Sequence, residues 1–480
     1  MKKASKASIG VELEFLICVA ESDQPINTPE RFRHGGRPLI LPPGVIPERV
    51  RHTIENTLSS LRKLGDRVVK SDQEAAADVE LFHLRPYVDW TVESDKSVYF
   101  PNEMNSEKYV GEYHWFPVEI VSPALWPTEA SWEEIRAVVQ AIKAEFWVIT
   151  PPTAGMHYHY GHGKDYIPFR KLRRIAALVI AVDALLAQLH PEYRRESGFC
   201  LSNRLYSGVA HARTAAATSL DIDVLYIEAR PEVPGPEHWP EPFPHPFYTR
   251  TPGLTVPFKR GELTGYTFRE DRFKKFEYDE NNTGEARPLE IPLAVAEILQ
   301  CLNAPTVAEL IHYSPDINRR PAYSFYSYTH HFYKQPIQDD HDITECDHKY
   351  KRTVEFRQMA STMEADEVVA HGKIIVRLCE FAGEAELADF WKLILDCAVA
   401  EGHGDWYDVF DLLADLGLIS EAKVVQHAVA RFRAESEELT INKERESNKN
   451  RGNGLRSRAK ESRPSELKDD ALAIDDGNVI

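Results

Sequence analysis

The chain has 480 residues, of which 43% are hydrophobic and 28% charged, and these values are typical of a globular protein with an ample core in one to three domains. A formal net charge of −18 argues against a general nucleic-acid or anionic-membrane binder, because phosphate would be repelled overall, although a local basic pocket for ATP is still compatible with it. Six cysteines without CxxC spacing, together with the lack of an apolar signal core, indicate a cytoplasmic protein with neither a zinc ribbon nor a disulfide scaffold.

The first predicted element is a strand in which apolar residues alternate with Glu12 and Glu14 between Gly10 and Leu16. Strand geometry puts the two carboxylates on one face, roughly 6–7 Å apart. Such a pair is repulsive unless a cation lies between the two groups. The strand is therefore either an edge strand with a solvated polar face or one wall of a metal site.

Two further stretches place carboxylates on or beside predicted strands. Asp95 lies in a turn between extended segments of 88–100, where an aspartate either bonds its own backbone in an Asx-turn or serves as a ligand. Glu119 lies within the apolar strand Phe116 to Val121, which ends at Ser122-Pro123. A charge in such a strand needs water, a partner or a metal.

Two histidines alternate on a fourth predicted strand. His157 and His159 are flanked by Gly155 and Gly161, and glycines at these positions allow another backbone or a ligand to approach closely. Imidazoles at this spacing can bind one metal ion or contact one phosphate, or they can be satisfied core histidines. His162 is predicted to lie in the loop that follows.

A fifth strand, 352–358, carries Glu355 and Arg357 on one face. The pair is either an ion pair within the strand or a metal-binding carboxylate beside an arginine that contacts a phosphate or carboxylate with its planar fork. The sequence does not rank the other arginines that could contact an anion, which include Arg194, Arg195, Arg319 and Arg320.

The remaining chain is predicted to be largely helical. Apolar residues at helical spacing predict helices over 50–64, over 131–146 with Ser131 as the N-cap, over 169–190, 292–300 and 306–312, and in four segments from 363 to 432. Residues 21–46 read as a long loop, 323–328 as a strand, 231–260 as a proline-rich surface insertion, and 435–480 as a disordered polar tail.

Taken together, five strands or strand ends supply carboxylates, imidazoles and one arginine to what could be one antiparallel sheet. Oxygen ligands dominate this set, which favours Mg²⁺ or Mn²⁺ over zinc. An arginine among so many carboxylates suggests a phosphate that metal ions bridge, as in ATP-dependent acyl-phosphate formation.

Five motifs in this order resemble those of the amidoligase enzymes, which belong with the glutamate–cysteine ligases and other carboxylate–amine ligases of the glutamine synthetase-like superfamily. The motifs span about residues 8–380 and are Gly10-Val-Glu-Leu-Glu-Phe15, Trp90 to Ser97, Val118 to Pro123, Gly155 to Gly161 and Thr353 to Thr362. Two positions depart from the family pattern: Ser324 replaces an asparagine, and Ser361-Thr362 replaces a Gly-Thr pair.

The resemblance implies an α+β fold, with a curved antiparallel sheet, helices on its outer face and an active site on the other face. It implies a ligase that uses ATP and Mg²⁺ (or Mn²⁺) to join a carboxylate to an amine through an acyl phosphate, on small-molecule or peptide substrates. The implied metal ligands are Glu12, Glu14, Asp95, Glu119 and Glu355; the implied catalytic residues are Arg357, Glu119 and His157; and the implied ATP contacts are Arg357, His157, His159 and Asp95.

These observations predict a catalytic domain over 1–434, with its helical part at 363–434, followed by the tail at 435–480. Two alternatives remain open. One is a zinc metallohydrolase or cupin-like protein that uses His157 and His159, and the other is a ligase fold that has lost catalysis and only binds. A nuclear location through basic residues of the tail is the alternative to the cytoplasm. The sequence leaves the oligomeric state and the substrates open.

Overall fold

A computed structural model describes most of the chain outside the proline-rich insertion and the tail. The described residues are 7–21, 32, 35–42, 47–61, 69–70, 89–100, 113–163, 165–195, 197–210, 212–228, 288–312, 320–329, 352–403, 406–432 and 434. The predicted insertion at 231–260 and the predicted tail at 435–480 lie outside these ranges.

Nine described strands form one open sheet. They are β1 (Ser8–Glu21), β2 (Leu39–Leu41), β3 (Val69–Lys70), β4 (Trp90–Glu93), β5 (His114–Val121), β6 (Val148–Ile149), β7 (Gly155–Gly161), β8 (Tyr323–Ser324) and β9 (Val354–Ala360). Their order is β3-β4-β5-β1-β7-β9-β8, and β2 and β6 also pair with β1. The pairs are antiparallel except β1–β2 and β3–β4, so the predicted α+β fold with a mainly antiparallel sheet is confirmed.

Helices make up most of the rest of the described chain, and turns and loops connect the elements. They are α1 (Pro47–Ser59), α2 (Glu129–Glu145), α3 (Phe169–Ala187), α4 (Glu192–Arg195), α5 (Asn203–Tyr206), α6 (Ala215–Glu228), α7 (Ile291–Gln300), α8 (Ala304–His312), α9 (Ala365–Glu384), α10 (Leu387–Gly402), α11 (Val409–Asp415) and α12 (419–432). None of the described helices is long and apolar enough to cross a membrane.

The core lies between one face of the sheet and the helices. The apolar side chains of β1, including Val11, Leu13 and Phe15, belong to a buried cluster with residues of α2, α3 and α9. From residue 175 to residue 187 helix α3 is buried on all sides and is apolar except for Asp183, which is typical of a central core helix. The helices thus cover the apolar face of β1, and the alternation of the strand directs Glu12 and Glu14 to the opposite face.

Three predicted elements were wrong in detail. The predicted loop at 21–46 contains β2, in which Leu39 and Leu41 are buried against β1 while Ile40 is exposed. The predicted strand at 323–328 is only two residues long and continues into a 3₁₀ turn, Tyr326–Tyr328. The N-cap of α2 is Thr128, because its hydroxyl accepts the N–H of Ser131.

The C-terminal helices agree with the prediction from the apolar pattern. Helices α9 to α12 fall within the four predicted segments of 363–432. Helix α11 begins with a capping box, in which Asp408 and Asp411 each bond the backbone N–H of the other.

Candidate active site

Cross-strand register collects the predicted site residues on the face of the sheet opposite the core. One row runs through Glu93, Glu119 and Glu14, which lie directly opposite one another on β4, β5 and β1. On β7, His157 lies opposite Glu12 and His159 lies opposite Glu355. Residues directly opposite one another share a face, so these carboxylates and imidazoles point to the same side.

Glu12 is the centre of the observed contacts. Its Oε2 lies 3.1 Å from Nδ1 of His157, and its Oε1 lies 2.7 Å from Nε2 of His159. The other nitrogen of His157, Nε2, lies 3.4 Å from Oε1 of Glu14. The His157 ring therefore stands between the two carboxylates that the sequence placed side by side.

Glu14 is held by two further groups. The backbone N–H of Gly155 donates to Oε2 of Glu14 at 2.5 Å. The hydroxyl of Ser361 donates to the backbone carbonyl of Glu14, also at 2.5 Å. Ser361, one of the two departures from the family pattern, thus links the end of β9 to β1.

Arg357 and Glu355 form the predicted ion pair within β9. Nη1 of Arg357 donates to Oε1 of Glu355, and Nδ1 of His157 lies 3.9 Å from that oxygen. Burial alone would raise the pKa of the Glu355 carboxyl, but Arg357, His159 and His157 lower it to about 2. Burial would lower the pKa of Arg357, yet Glu355 and Glu12 raise it, so both groups stay charged.

Glu119 lies among like charges. Burial, followed by the charges of Glu12, Glu14, Glu93 and Asp95, raises the pKa of its carboxyl well above the usual value. The site therefore gathers more negative charge than its own groups offset, a condition that a bound cation would relieve.

Asp95 has the local bond that the sequence indicated as one of its two roles. Its Oδ1 accepts the N–H of Ser97 at 2.7 Å, which makes an Asx-turn after β4. The same aspartate is close enough to Glu119 to raise its pKa. Asp95 thus borders the site, and its predicted role as a ligand stays a prediction.

Among the residues that the structure describes, two groups of three side chains have ligand atoms within 4.8 Å of one another. One group is Glu12, His159 and Glu355, and the other is Glu12, Glu119 and His157. Both groups contain one imidazole and two carboxylates, and they share Glu12. A cation in either place would replace the hydrogen bond that Glu12 now shares with the histidine of that group.

The structure adds a residue that the sequence could not rank. Arg194, on the short helix α4, donates from Nη2 to the backbone carbonyl of Arg357 at 2.8 Å, and its side chain is buried beside Gly155. The only indication in the sequence was the glycine at the start of β7. A glycine there shows that another group approaches the backbone closely, but it does not identify that group. Ser324, the other departure from the family pattern, lies opposite Glu355 and is buried.

The fold and site define an α+β protein with a buried centre of carboxylates, imidazoles and guanidiniums on one sheet face. The family model described as "Putative amidoligase enzyme" matches residues 5–221, which confirms the resemblance read from the motifs and supports an enzyme of the ligase class. The match includes the strands that carry Glu12, Glu119 and His157, whereas Glu355 and Arg357 lie beyond it. No curated protein and no solved structure matches the chain.

Proposed function

We propose that this protein is an ATP-dependent ligase that joins the carboxylate of one small molecule or peptide to the amine of another. The observation that carries the proposal is the convergence of Glu12, Glu119 and Glu355 with two histidines on one sheet face, beside the guanidinium of Arg357. The amidoligase family match supports the ligase class but does not specify the nucleotide or the substrates.

The donor set fits a hard divalent cation. Carboxylate oxygens outnumber imidazole nitrogens in both groups of possible ligands, and such sets suit Mg²⁺ or Mn²⁺. Glu12, Glu14, Glu119 and Glu355 would hold the metal, with Asp95 at the border. When bound, the metal would neutralise phosphate oxygens and remove the repulsion among these carboxylates.

The reaction has two steps. An oxygen of the substrate carboxylate attacks the γ-phosphorus of ATP, forming an O–P bond while the bond to the β-phosphate oxygen breaks and ADP leaves. The amine then attacks the acyl carbon, forming the C–N bond; the C–O bond breaks, phosphate leaves with its electron pair, and the amine loses a proton. Such reactions depend mainly on positioning and electrostatic stabilisation, which preorganised groups in a water-poor site provide.

Arg357 is assigned to the transferred phosphoryl group in this scheme. The ion pair with Glu355 fixes the direction of its guanidinium, and burial on β9 strengthens its field. His157 keeps the carboxylates of Glu12 and Glu14 apart, so it orients both. His157 and His159 are the two imidazoles that we assign to ATP phosphates, which would replace their contacts with Glu12, and Glu119 completes the set on β5.

The experiment is a substrate screen with ATP and Mg²⁺. Pools of amino acids, polyamines and peptides are incubated with the protein, and products are identified by mass spectrometry together with ADP release. We expect Glu12→Gln to abolish turnover without unfolding the protein. Glu134→Gln is the matched control, because Glu134 is also a buried glutamate but bonds Trp90 Nε1 on the other side of the sheet.

Three outcomes separate the alternatives. Full activity in Glu12→Gln would exclude the proposed ligase mechanism. Activity that requires Zn²⁺ and is lost in His157→Ala but retained in Arg357→Ala would favour the zinc metallohydrolase. Nucleotide binding without any turnover in the pools would favour a ligase fold that only binds.

A further inference from the structure

A second guanidinium, that of Arg194, lies beside the candidate site with few partners of its own. Its side chain is about 1% exposed, and Nη2 donates to the carbonyl of Arg357 at 2.8 Å. Its Nε is buried and has no hydrogen-bond partner, and no carboxylate of the described residues forms an ion pair with it. Arg357, in contrast, is paired with Glu355.

The position of Arg194 is defined by Gly155 at the start of β7. A Cβ added at Gly155 would overlap Nη2 of Arg194 and lie 2.7 Å from Nε2 of His157. The guanidinium and the imidazole therefore border the same point on the sheet. The N–H of this glycine also holds Glu14, so Arg194 lies next to the predicted metal ligands and not behind them.

A buried guanidinium whose N–H donors lack acceptors is costly. A guanidinium has five N–H donors and cannot lose its proton, so it needs acceptors and an anion when it leaves water. The backbone carbonyl of Arg357 satisfies one donor only. Because the bordering groups are predicted to bind metal and phosphate, we expect phosphate oxygens of the ligand to accept from the remaining donors.

We propose that Arg194 binds the phosphoryl group that passes from the nucleotide to the substrate carboxylate. This inference rests on the proposed function and adds to it a specific phosphate contact. Arg194, which donates to the backbone of Arg357, and Arg357, which Glu355 fixes, then contact the same group with two guanidiniums. Guanidiniums suit this role because their planar fork matches phosphate oxygens.

The test compares a nonhydrolysable ATP analogue, AMP-PNP, with ADP, because only AMP-PNP carries the third phosphate. Isothermal titration calorimetry with Mg²⁺ measures both affinities for the wild type, Arg194→Met and Arg194→Lys. We expect Arg194→Met to weaken AMP-PNP binding by roughly 10–100-fold, the scale of losing a charged hydrogen bond, and to leave ADP binding unchanged. The affinity of Arg194→Lys for AMP-PNP should lie between those of the wild type and Arg194→Met, because lysine keeps the charge but lacks the planar fork.

Arg174→Met is the matched control. Arg174 is also buried, donates from Nη2 to the backbone carbonyl of Ala385 at 2.7 Å, and has an Nε without a partner, but it lies on α3 against Phe390. We expect it to bind both nucleotides as the wild type does. The two variants thus remove the same side-chain atoms and the same kind of backbone bond.

The outcomes distinguish this inference from the proposed function. Equal weakening of AMP-PNP and ADP in Arg194→Met, or no weakening of either, would overturn the role of Arg194 while the ligase stands. A wild type that binds neither nucleotide would instead count against the proposed function itself. If Arg194→Met does not fold, the same comparison in Arg194→Lys decides: selective weakening of AMP-PNP supports the inference, and equal or no weakening overturns it.

Discussion

Glu12 shows at the residue scale how the tertiary structure changes the meaning of a sequence motif. Side by side on a strand, Glu12 and Glu14 would repel each other. In the folded chain the His157 ring lies between them and His159 bonds the far side of Glu12, so each carboxylate has an imidazole partner. Both candidate metal groups also depend on Glu12, which makes it the residue whose loss should matter most.

Arg357 gives the first prediction at this scale. Arg357→Ala should weaken transition-state stabilisation by roughly 2.7–4 kcal/mol, the scale of losing one preorganised donor. Arg357→Lys should recover only part of this loss, because an ammonium group cannot make the bidentate contact. The measurement is kcat/KM for both variants under the conditions of the substrate screen. Wild-type kcat/KM in Arg357→Ala would show that this guanidinium serves the fold and not the reaction.

Strand β9 is anchored from behind by a buried carboxylate on α3. Asp183 is fully buried and accepts hydrogen bonds from the Ser202 hydroxyl at 2.6 Å, the Arg204 N–H at 2.8 Å and the Gln358 side-chain amide at 3.0 Å. Gln358 follows Arg357 on β9, so this network joins the helix layer to the strand that carries the second half of the site.

Asp183 predicts a pH dependence of stability. Burial raises its pKa to about 6 although the hydrogen bonds oppose this shift, whereas an unfolded aspartate titrates near its ordinary value of about 3.9. The contribution of Asp183 to the free energy of unfolding is therefore greatest below pH 4. Up to about 3 kcal/mol of it is lost as the pH rises through 6. Urea denaturation of the wild type and Asp183→Asn at pH 5 and pH 8 tests this prediction.

Between pH 5 and pH 8 the free energy of unfolding of Asp183→Asn should increase relative to that of the wild type, because the wild type alone loses the contribution of a protonated Asp183. Glu355 does not interfere in this range, because a carboxyl with its pKa lowered to about 2 contributes stability that is lost only as pH falls below about 4.5 toward 2. A pH-independent difference would mean that Asp183 stays ionised throughout.

Helix α9 packs on the sheet through a glycine. A Cβ at Gly372 would lie 2.8 Å from the Trp132 ring and 3.2 Å from the Tyr158 ring, both in the core. Gly372→Ala should therefore destabilise the protein by about 1–3 kcal/mol through overpacking. The higher helix propensity of alanine should offset part of this loss. Thermal or urea denaturation measures the change.

Gly383, on the same helix, is the matched control. The three atoms nearest to its added Cβ belong to the flexible side chain of Lys171, which can shift more easily than the packed rings beside Gly372. Gly383→Ala should be neutral or stabilising by up to about 1 kcal/mol, because alanine favours helices. Equal effects at the two glycines would contradict the tight packing of α9 against Trp132.

At the scale of the whole molecule, the charge balance predicts stabilisation by divalent cations. The site concentrates several carboxylates of a chain whose formal net charge is −18, so a cation held by Glu12 and its neighbours would remove repulsion only in the folded state. Mg²⁺ or Mn²⁺ at about 100 times its Kd should add about 2.7 kcal/mol to the free energy of unfolding. Melting curves with and without the cation measure this.

Glu12→Gln should lose most of that stabilisation, whereas Glu134→Gln should keep it. Stabilisation by Zn²⁺ alone would contradict the preference expected from oxygen ligands. An equal response of Glu12→Gln and the wild type would place the cation elsewhere.

The sequence by itself determined the five strands that carry the site or border it, their polar faces and most helices, because these depend on local periodicity. It identified Glu12, Glu14, Glu119, His157, His159, Glu355 and Arg357 as candidates, and all of them lie on one face of the sheet. Only the tertiary structure decided the register, which sets His157 between two carboxylates, and the position of Arg194 beside Gly155. Register and the approach of a distant helix depend on contacts between residues far apart in the chain, and local periodicity carries no information about such contacts.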